Sequence, residues 1–475
     1  MIEISSKDTL YMYNVYHITK AFFPNREIRQ IVDERQGPLI ELKLEEDPCF
    51  LVSAEELGQF LDRQEYKRQV TKRVYDYLCS LTGRSLAWGM LTGVRPTKLA
   101  MQKIEEGRNK KETAVFLQDT YGVSREKAEL SFETASREKE LLGDLDYGTG
   151  WSLYIGIPFC PSICSYCSFG SSSVHIWKDR LDEYVGALCK EISAIAGMAK
   201  GKRLTTIYIG GGTPTTLKAG QLERLLELLG ELFSFEHLIE FTVEAGRPDS
   251  ITEEKLKVLA CYPVTRISIN PQTMQQKTLD TVGRMHSADD VKRVFYMARE
   301  MGFQNINMDL IAGLPGEDAA DMRDTLRQIE ELEPDSLTVH ALAIKRAARM
   351  AREGHKMDLH TEIEKMISDS CQAAFRMGLK PYYLYRQKNI AGNFENVGYA
   401  KVDKAGIYNI LIMEERQTIL AAGAGASTKI VFPEKIELEN GKKSSLVRIE
   451  NVKDIGEYIS RIDEMIERKG EWLWR

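Results

Sequence analysis

The sequence lacks a long apolar run, and no stretch approaches the ~18 residues that a membrane helix needs. It also lacks a surplus of basic residues, because 64 Lys and Arg stand against 70 Asp and Glu, for a formal charge of −6. The opening residues, MIEISSKDTLYMYN, contain no basic segment followed by an apolar core. We therefore expect no membrane span, no nucleic-acid partner and no secretory signal.

Cysteines are few and mostly scattered. Five of the eight stand singly along the 475 residues, which gives no disulfide framework and favours a reducing, cytoplasmic setting. The isolated ones are Cys49, Cys79, Cys189, Cys261 and Cys371. The apolar share of 43% and the charged share of 28% are those of an ordinary globular protein of about three domains.

The other three cysteines form the strongest motif in the sequence. Cys160, Cys164 and Cys167 follow a short apolar run in C-x3-C-x2-C spacing. Three thiolates from one loop hold three irons of a cubane cluster and leave the fourth iron without a protein ligand. An open iron binds a small molecule, whereas a structural zinc site closes all four positions.

A zinc loop is the alternative interpretation of this motif. It would need a distant fourth ligand, and His175 is the nearest histidine in the sequence. Zinc knuckles usually pair one C-x2-C with a second pair downstream, and the sequence contains no second pair. The spacing therefore favours an iron–sulfur cluster.

Strands and helices alternate six times between residues 152 and 341. Apolar strands are predicted at 153–157, 205–210, 239–245, 264–270, 306–312 and 335–341. Amphipathic helices lie between them, and hairpin signals are absent, so the pattern predicts an α/β fold of parallel strands, either a partial (β/α)6 barrel or an open parallel sheet. Residues 1–150 are predicted to form an N-terminal α+β domain, 151–342 the barrel and 343–475 a C-terminal α+β domain that covers the substrate. In that last domain we expect strands at 408–413 and 417–422.

The carboxyl ends of parallel strands carry the site in such folds. Polar residues stand at these ends one after another: the cysteine loop, the turn GGGTPT at 210–215, Glu244, Asn270 with Gln272, Asp309 and His340. The glycines leave backbone groups bare for close approach to a ligand. Glu244 and Asp309 are suited to accept hydrogen bonds from an ammonium group or from ribose hydroxyls, although helix capping or ion pairing explains each of them equally well.

Two basic stretches lie outside the barrel pattern. Arg95 and Lys98 follow a Gly- and Pro-rich turn, where either anion binding at a helix start or a purely structural turn is possible. After the sixth strand comes a cluster of cations that suits a substrate with several carboxylates, or a solvated helix face. Its members are Lys345, Arg346, Arg349, Arg352 and Lys356.

The motifs together resemble the family of oxygen-independent coproporphyrinogen III oxidases, radical S-adenosylmethionine (SAM) enzymes, and within it the HemZ branch. The resemblance spans about residues 152–426 and is strongest in P-F-C-x3-C-x-Y-C, GGGTPT, INPQT, VGRMH and DLIAGLPGE. LTGVRPTKLA and YYLYRQKNIAGNFENVGY resemble features of the HemZ branch. The family implies a [4Fe–4S] cluster on Cys160, Cys164 and Cys167, with SAM on the open iron.

The resemblance also implies the residues around SAM. Tyr154 would lie near the cluster and Tyr166 near the adenine, with the glycine turn at the methionine end. The remaining implied contacts are Gly211, Gly212, Thr213, Glu244, Gln272, Arg284 and Asp309. A 5′-deoxyadenosyl radical would take hydrogen from a propionate of coproporphyrinogen III, in an anaerobic decarboxylation to protoporphyrinogen IX. An electron donor such as flavodoxin or ferredoxin would reduce the cluster.

Two positions depart from the family pattern. Gly156 stands where the family usually has histidine, and Phe169 stands where the well-studied oxidases have a further cysteine. The second change is shared with heme-chaperone relatives. A heme-binding or heme-delivery protein is therefore an alternative, with an axial ligand among His340, His355 and His360. A radical SAM methyltransferase that opens the porphyrin ring is another.

Overall fold

The computed structural model describes most of the chain. The described residues are 1–33, 37–45, 49–55, 57, 62–93, 95–143, 145–345, 347–354, 362–387, 394–438 and 441–473. No helix among them is both long enough and apolar enough to cross a membrane.

The first 82 residues form a small α+β unit with a core of its own. Its elements are β1 (Ile2–Ser6), α1 (Thr9–Phe22), β2 (Ile28–Val32), β3 (Ile40–Leu44), β4 (Phe50–Val52) and α2 (Arg63–Thr82). The strand order is β2-β1-β3-β4, and β1 runs parallel to β2 and antiparallel to β3. Asp8 and Asp62 cap the two helices by accepting hydrogen bonds from backbone N–H groups.

Three helices connect this unit to the rest. They are α3 (Thr97–Glu105), α4 (Lys110–Tyr121) and α5 (Arg125–Leu142). Helices α4 and α5 are separate, because Gly122 takes a left-handed conformation and Ser124 caps a new helix. Apolar residues of these helices, with Trp88 before them, are buried in the same core as the central sheet.

The central sheet begins with parallel strands as predicted. The strands between residues 150 and 341 are β5 (Gly150–Ile157), β6 (Phe159–Cys160), β7 (Ser172–Ser173), β8 (Arg203–Gly211), β9 (Glu240–Gly246), β10 (Arg266–Ile269), β11 (Ile306–Ala312) and β12 (Ser336–Ala341). Of these, β6 and β7 form a separate two-stranded sheet, and the others belong to the central sheet. The helices are α6 (Val174–Trp177), α7 (Leu181–Met198), α8 (Ala219–Leu232), α9 (Glu253–Ala260), α10 (Gln276–Val282), α11 (Ala288–Glu300) and α12 (Ala319–Leu332). Strands β5, β8, β9, β10, β11 and β12 pair in parallel in that order.

The C-terminal residues extend this sheet at both edges. The elements are α13 (Arg349–Arg352), α14 (Ile363–Arg376), β13 (Lys380–Tyr385), β14 (Asn396–Ala400), α15 (Ile407–Glu414), β15 (Thr418–Ala422), β16 (Ser427–Glu437), β17 (Lys443–Glu450), α16 (Ile455–Ser460) and α17 (Ile462–Gly470). The sheet order is β13-β14-β12-β11-β10-β9-β8-β5-β15-β16-β17, and the described strands do not close into a barrel. The mixed α/β class with an open, largely parallel sheet is confirmed.

One predicted strand is wrong. Residues 408–413 lie in α15, whereas the strand predicted over 417–422 is present as β15. The apolar run of this segment fits either element by composition, but Ile407, Ile410 and Leu411 recur at helical spacing and Ile410 and Leu411 are buried on one side. The first turn is held by Glu240, which accepts a hydrogen bond from the Tyr408 backbone N–H at 3.1 Å.

Candidate functional site

The three motif cysteines lie in the loop after β5. Cys160 belongs to β6, which pairs with β7, and Cys164 is buried. Two hydrogen bonds attach the loop to the end of α10. The Ser162 hydroxyl donates to the Gly283 carbonyl at 2.8 Å, and the Ser165 N–H donates to the Val282 carbonyl at 3.0 Å. Burial raises the pKa of the Cys160 and Cys167 thiols. The loop therefore presents three thiols from one rigid segment.

Two arginines approach the sulfur of Cys164. Arg247 Nη1 lies 3.5 Å from this Sγ atom, and Arg284 Nη1 lies 4.0 Å from it. Arg247 also donates to the Ser162 carbonyl at 3.2 Å and is held by Asp249 at 2.7 Å. The sequence analysis missed Arg247, because an arginine one residue after a strand carries no motif; only its place at the end of β9 marks it.

Arg284 connects the cysteine loop to the sheet. Its Nη1 donates to the Tyr166 hydroxyl at 2.9 Å, and its Nη2 donates to the Asn270 carbonyl at 2.5 Å. Arg284 is buried, and its Nε atom has no hydrogen-bond partner among the described residues. Tyr166 and Arg284, two of the residues expected around SAM, are thus brought together.

The glycine turn after β8 packs directly on the cysteine loop. A Cβ atom on Gly212 would lie 2.5 Å from the Phe159 carbonyl oxygen, and Gly211 has a φ of +105°. The backbone N–H groups of Gly212 and Thr213 donate to Ile157 and Phe159 at 2.8 and 2.7 Å. The close approach that the glycines permit is therefore to the cysteine loop, since only residues without a side chain fit there. The Thr213 hydroxyl lies 3.6 Å from Cys160 Sγ.

A carboxylate and three tyrosines form one wall. Glu244 accepts a hydrogen bond from the Tyr208 hydroxyl, and burial raises the pKa of Glu244 to about 7. Tyr208 stacks on Tyr154 with ring centroids 6.2 Å apart and on Tyr408 at 4.4 Å. Tyr208 was also missed, although it is the register partner of Tyr154 and both tyrosines stand two residues before a glycine.

Asp309, in the middle of β11, lies beside His340, near the end of β12. Burial by itself raises the pKa of Asp309, but hydrogen bonds and the nearby imidazole outweigh it and lower the pKa below its usual value. Asn307 Nδ2 donates to Asp309 at 2.7 Å, and His340 Nε2 lies 3.9 Å from its carboxylate. The other ring nitrogen of His340 is 3.4 Å from the Tyr385 hydroxyl.

Gln272 occupies the space between β10 and β11. Its backbone accepts from the Ile311 N–H and donates to the Asp309 carbonyl, both at 2.9 Å, with a positive φ of 69°. Its side-chain Oε1 atom and the Oδ1 atom of Asn270 are buried without a hydrogen-bond partner in the described structure. Buried polar atoms are normally paired, so both acceptors are available for a ligand donor.

One cavity of about 470 Å³ collects these groups. It is lined by every residue that the sequence analysis assigned to the cluster or to SAM: Tyr154, Cys160, Cys164, Tyr166, Cys167, Gly211, Gly212, Thr213, Glu244, Gln272, Arg284 and Asp309. The volume lies in the range of small-molecule sites. Three thiols, two carboxylates and unpaired buried acceptors fit a cluster with an open iron and a zwitterionic ligand that carries an ammonium group and hydroxyls.

A zinc site fits less well. Within the described residues, no three His, Cys, Asp or Glu side chains are gathered around a position for a single metal ion. His175, the nearest histidine in sequence, is exposed and does not line the cavity.

The cation cluster after β12 is only partly at the cavity. Lys345 lines it, and its Nζ atom lies 5.9 Å from the ring centroid of Phe169. Arg349 lies 3.6 Å from Glu353 outside the cavity. Arg346 and Lys356 lie outside the described residues, as do His355 and His360, two of the proposed heme ligands.

The fold and the cavity define the class of protein. Residues 154–329 match the family model of the radical SAM superfamily. The fold is similar to a solved structure described as coproporphyrinogen III oxidase (HemN) from Escherichia coli, a radical SAM enzyme, with a TM-score of 0.54 and 23% identity over 69% of this chain and 73% of that one. The chain is a radical SAM protein, and members of this superfamily bind a [4Fe–4S] cluster and SAM, which confirms the predicted cofactors.

Curated relatives narrow the family. The chain is 38% identical, over 96% of its length and 94% of the relative's, to the oxygen-independent coproporphyrinogen-III oxidase-like protein HemZ of Bacillus subtilis. The heme chaperone HemW of the same organism is also 38% identical, over 41% of this chain and 51% of its own length. The chain therefore belongs to the HemZ/HemN-like family of radical SAM proteins.

Proposed function

We propose that the chain is an oxygen-independent oxidase that decarboxylates two propionate side chains of coproporphyrinogen III to give protoporphyrinogen IX. The observation that carries this proposal is the gathering of the three thiols and the nine implied SAM residues in one cavity. Full-length similarity to the oxidase-like protein HemZ supports a tetrapyrrole substrate.

In this proposal Cys160, Cys164 and Cys167 hold the cluster. Arg247 and Arg284 offset the negative charge of the cysteine loop, because their guanidinium groups face Cys164. Bound together, the cluster and SAM supply an organic radical that removes hydrogen from an unactivated carbon.

The remaining residues orient SAM. Glu244 and Asp309 accept hydrogen bonds from its hydroxyl and ammonium groups, for which the unpaired Gln272 Oε1 atom is a further acceptor. Glu244 holds a proton at lower pH, because its pKa of about 7 is well above the usual value. Tyr154 and Tyr208 form the side of the cavity next to Glu244 and exclude water from it.

The substrate would occupy the tyrosine-rich side of the cavity. Tyr383, Tyr385 and Tyr408 present ring surface to the pyrrole rings of the tetrapyrrole, and Lys345 offers a cation to a propionate carboxylate. For each propionate, a hydrogen atom leaves the side chain, carbon dioxide is lost and one electron passes to a one-electron acceptor, which leaves a vinyl group. A flavodoxin- or ferredoxin-type protein is proposed to reduce the cluster.

Heme binding is the second candidate, supported by the similarity to HemW and by His340 at the cavity. Both ring nitrogens of His340 face other side chains, Asp309 and Tyr385, which leaves neither pointing into open space as an axial ligand does.

The test compares the two candidates under anaerobic conditions. Reconstituted protein is mixed with dithionite, SAM and coproporphyrinogen III, and the products are read by mass spectrometry. We expect protoporphyrinogen IX, two formic-acid equivalents lighter, with 5′-deoxyadenosine formed in step, and neither product from Cys164→Ala. If the substrate stays intact and added heme gives a Soret band that His340→Ala abolishes, heme binding is favoured. A methylated linear tetrapyrrole formed from added heme would favour a methyltransferase.

A further inference from the structure

Two C-terminal segments, far from the cysteine loop in sequence, also line the cavity. The first is the end of β13 and the start of β14, which contribute Tyr385, Gln387 and Asn396. The second is α15, which contributes Tyr408, Asn409, Ile412 and Met413. We call these two segments the ligand wall. None of their residues belongs to the cysteine loop or to the implied SAM contacts.

Residues 86–142, a turn followed by α3, α4 and α5, form what we call the helical segment. This segment holds the first part of the ligand wall through a buried carboxylate. Glu395 is 0% exposed and precedes the cavity residue Asn396. Trp88 Nε1 donates to one oxygen of Glu395 at 2.7 Å, and Lys127 Nζ lies 2.9 Å from the other. A buried carboxylate is tolerated only with such partners, so this contact fixes the position of the chain.

A second contact is made by the residue that directly follows β13. Arg386, between the cavity residues Tyr385 and Gln387, donates to the Leu91 carbonyl and stacks its guanidinium 5.9 Å from the ring of Trp88. Trp88 therefore contacts the chain both just after β13, at Arg386, and just before β14, at Glu395.

The helical segment also holds the end of α15. Arg95 Nη2 lies 2.7 Å from Glu414 Oε1, and the Glu414 side chain is 7% exposed. Glu138 of α5 is buried nearby, and its pKa is raised well above the usual value, first by burial and then by the charge of Glu414. Just beyond α15, Arg416 pairs with Glu105 at 3.0 Å. Loss of Arg95 would remove the cation paired with Glu414 and one of the two, with Arg416, that act on Glu138.

These contacts lie outside the part of the chain that carries the radical chemistry. The superfamily match covers residues 154–329, and the similarity to HemW covers 41% of the chain, whereas the similarity to HemZ covers 96%. Trp88, Arg95 and Lys127 precede that match and reach residues that follow it.

We propose that residues 86–142 are a positioning element that sets the shape of the ligand wall and so selects the ligand, independently of the cluster and SAM. The identity of that ligand, a tetrapyrrole, rests on the proposed function. The anion site suggested at Arg95 is replaced by an internal ion pair.

The experiment uses full-length reconstituted protein and two variants, Trp88→Phe and Arg95→Met. Trp88→Phe removes one hydrogen bond to Glu395 but keeps a ring beside Arg386. We expect amide hydrogen exchange to become about tenfold faster in residues 394–400 for Trp88→Phe and in residues 407–414 for Arg95→Met, as loss of one buried polar contact predicts. Iron content and SAM affinity should stay within about twofold of wild type, while the KM for coproporphyrinogen III should rise about tenfold.

Arg125→Ala is the matched control, because Arg125 is 82% exposed on the same segment and pairs with Glu129, one helical turn away, at 2.8 Å. It should change none of these readouts. If Trp88→Phe loses its fold, Glu395→Gln replaces it. This variant keeps the shape of the side chain and an acceptor for Trp88, but it removes the charge that pairs with Lys127. Unchanged exchange in the ligand wall, or a parallel loss of SAM binding, would overturn the proposal. Faster exchange in a protein whose wild type leaves tetrapyrroles intact would instead contradict the proposed function alone.

Discussion

Arg247 is expected to control the reduction potential of the cluster. Its guanidinium donates toward Cys164 Sγ at 3.5 Å from a buried position, and Asp249 fixes its orientation at 2.7 Å. Hydrogen bonds to the sulfurs raise the potential of an iron–sulfur cluster, because reduction adds negative charge that the donor stabilises. Replacement by glutamine in Arg247→Gln should therefore make the potential more negative.

The size of the effect follows from the energy of one hydrogen bond. A bond from a charged donor contributes about 1.5–3 kcal/mol net. For a one-electron couple, about 1.4 kcal/mol corresponds to ~59 mV. We therefore expect the potential to fall by roughly 60–130 mV. Because Arg247→Gln leaves the Asp249 carboxylate without its arginine partner, and so adds a negative charge near the cluster, the double variant Arg247→Gln/Asp249→Asn should show a smaller fall.

The assay is a redox titration of the reconstituted cluster followed by electron paramagnetic resonance, which needs no substrate. Ser162→Ala is the control: it removes the contact between the Ser162 hydroxyl and Arg247 Nη2 at 3.0 Å but keeps the contact to sulfur. Its potential should stay near that of the wild type. A potential that is unchanged in Arg247→Gln with full iron content would refute the reasoning.

Three further outcomes are expected. Because burial raises the pKa of Glu244 to about 7 from 4.5, the folded state holds an extra proton between these values. The free energy of unfolding of the wild type, relative to Glu244→Gln, should therefore fall as the pH rises from about 5 to about 8 in urea titrations, and a flat difference would exclude the shift. Lys469 lies 2.5 Å from the fully buried Glu191, so Lys469→Met should lower the free energy of unfolding by about 3–5 kcal/mol, and a loss under ~1 kcal/mol would contradict this account. Gly212→Ala places a methyl group 2.5 Å from the Phe159 carbonyl oxygen and should reduce both iron content and SAM affinity, whereas Gly220→Ala, with no atom within 4 Å, should reduce neither.

The parallel sheet and the polar residues along one of its edges were predictable because they follow local patterns. Alternation of strand and helix defines the parallel sheet, and one edge of that sheet gathers Cys160, Glu244 and Asp309 although they stand far apart in sequence. Amphipathic helices were predicted between the strands, and in one of them, α7, the apolar residues Leu181, Val185, Leu188 and Ile192 are buried.

Other features carry little or no local signal. Residues 408–413 have an apolar composition that fits either a strand or a helix, and packing against the sheet together with the contact with Glu240 favours the helix. The hydrogen bond between Trp88 and Glu395 joins residues 307 positions apart, which no periodicity indicates. The domain limits at 150 and 342 and the individual roles of the site residues remain predictions.

The most direct test of the central claim follows one hydrogen atom. Coproporphyrinogen III deuterated on its propionate side chains is incubated anaerobically with reconstituted protein, dithionite and SAM, and the 5′-deoxyadenosine is analysed by mass spectrometry. The account predicts deuterium in 5′-deoxyadenosine together with the loss of two carboxyl groups from the tetrapyrrole. Unlabelled 5′-deoxyadenosine beside intact substrate would contradict it.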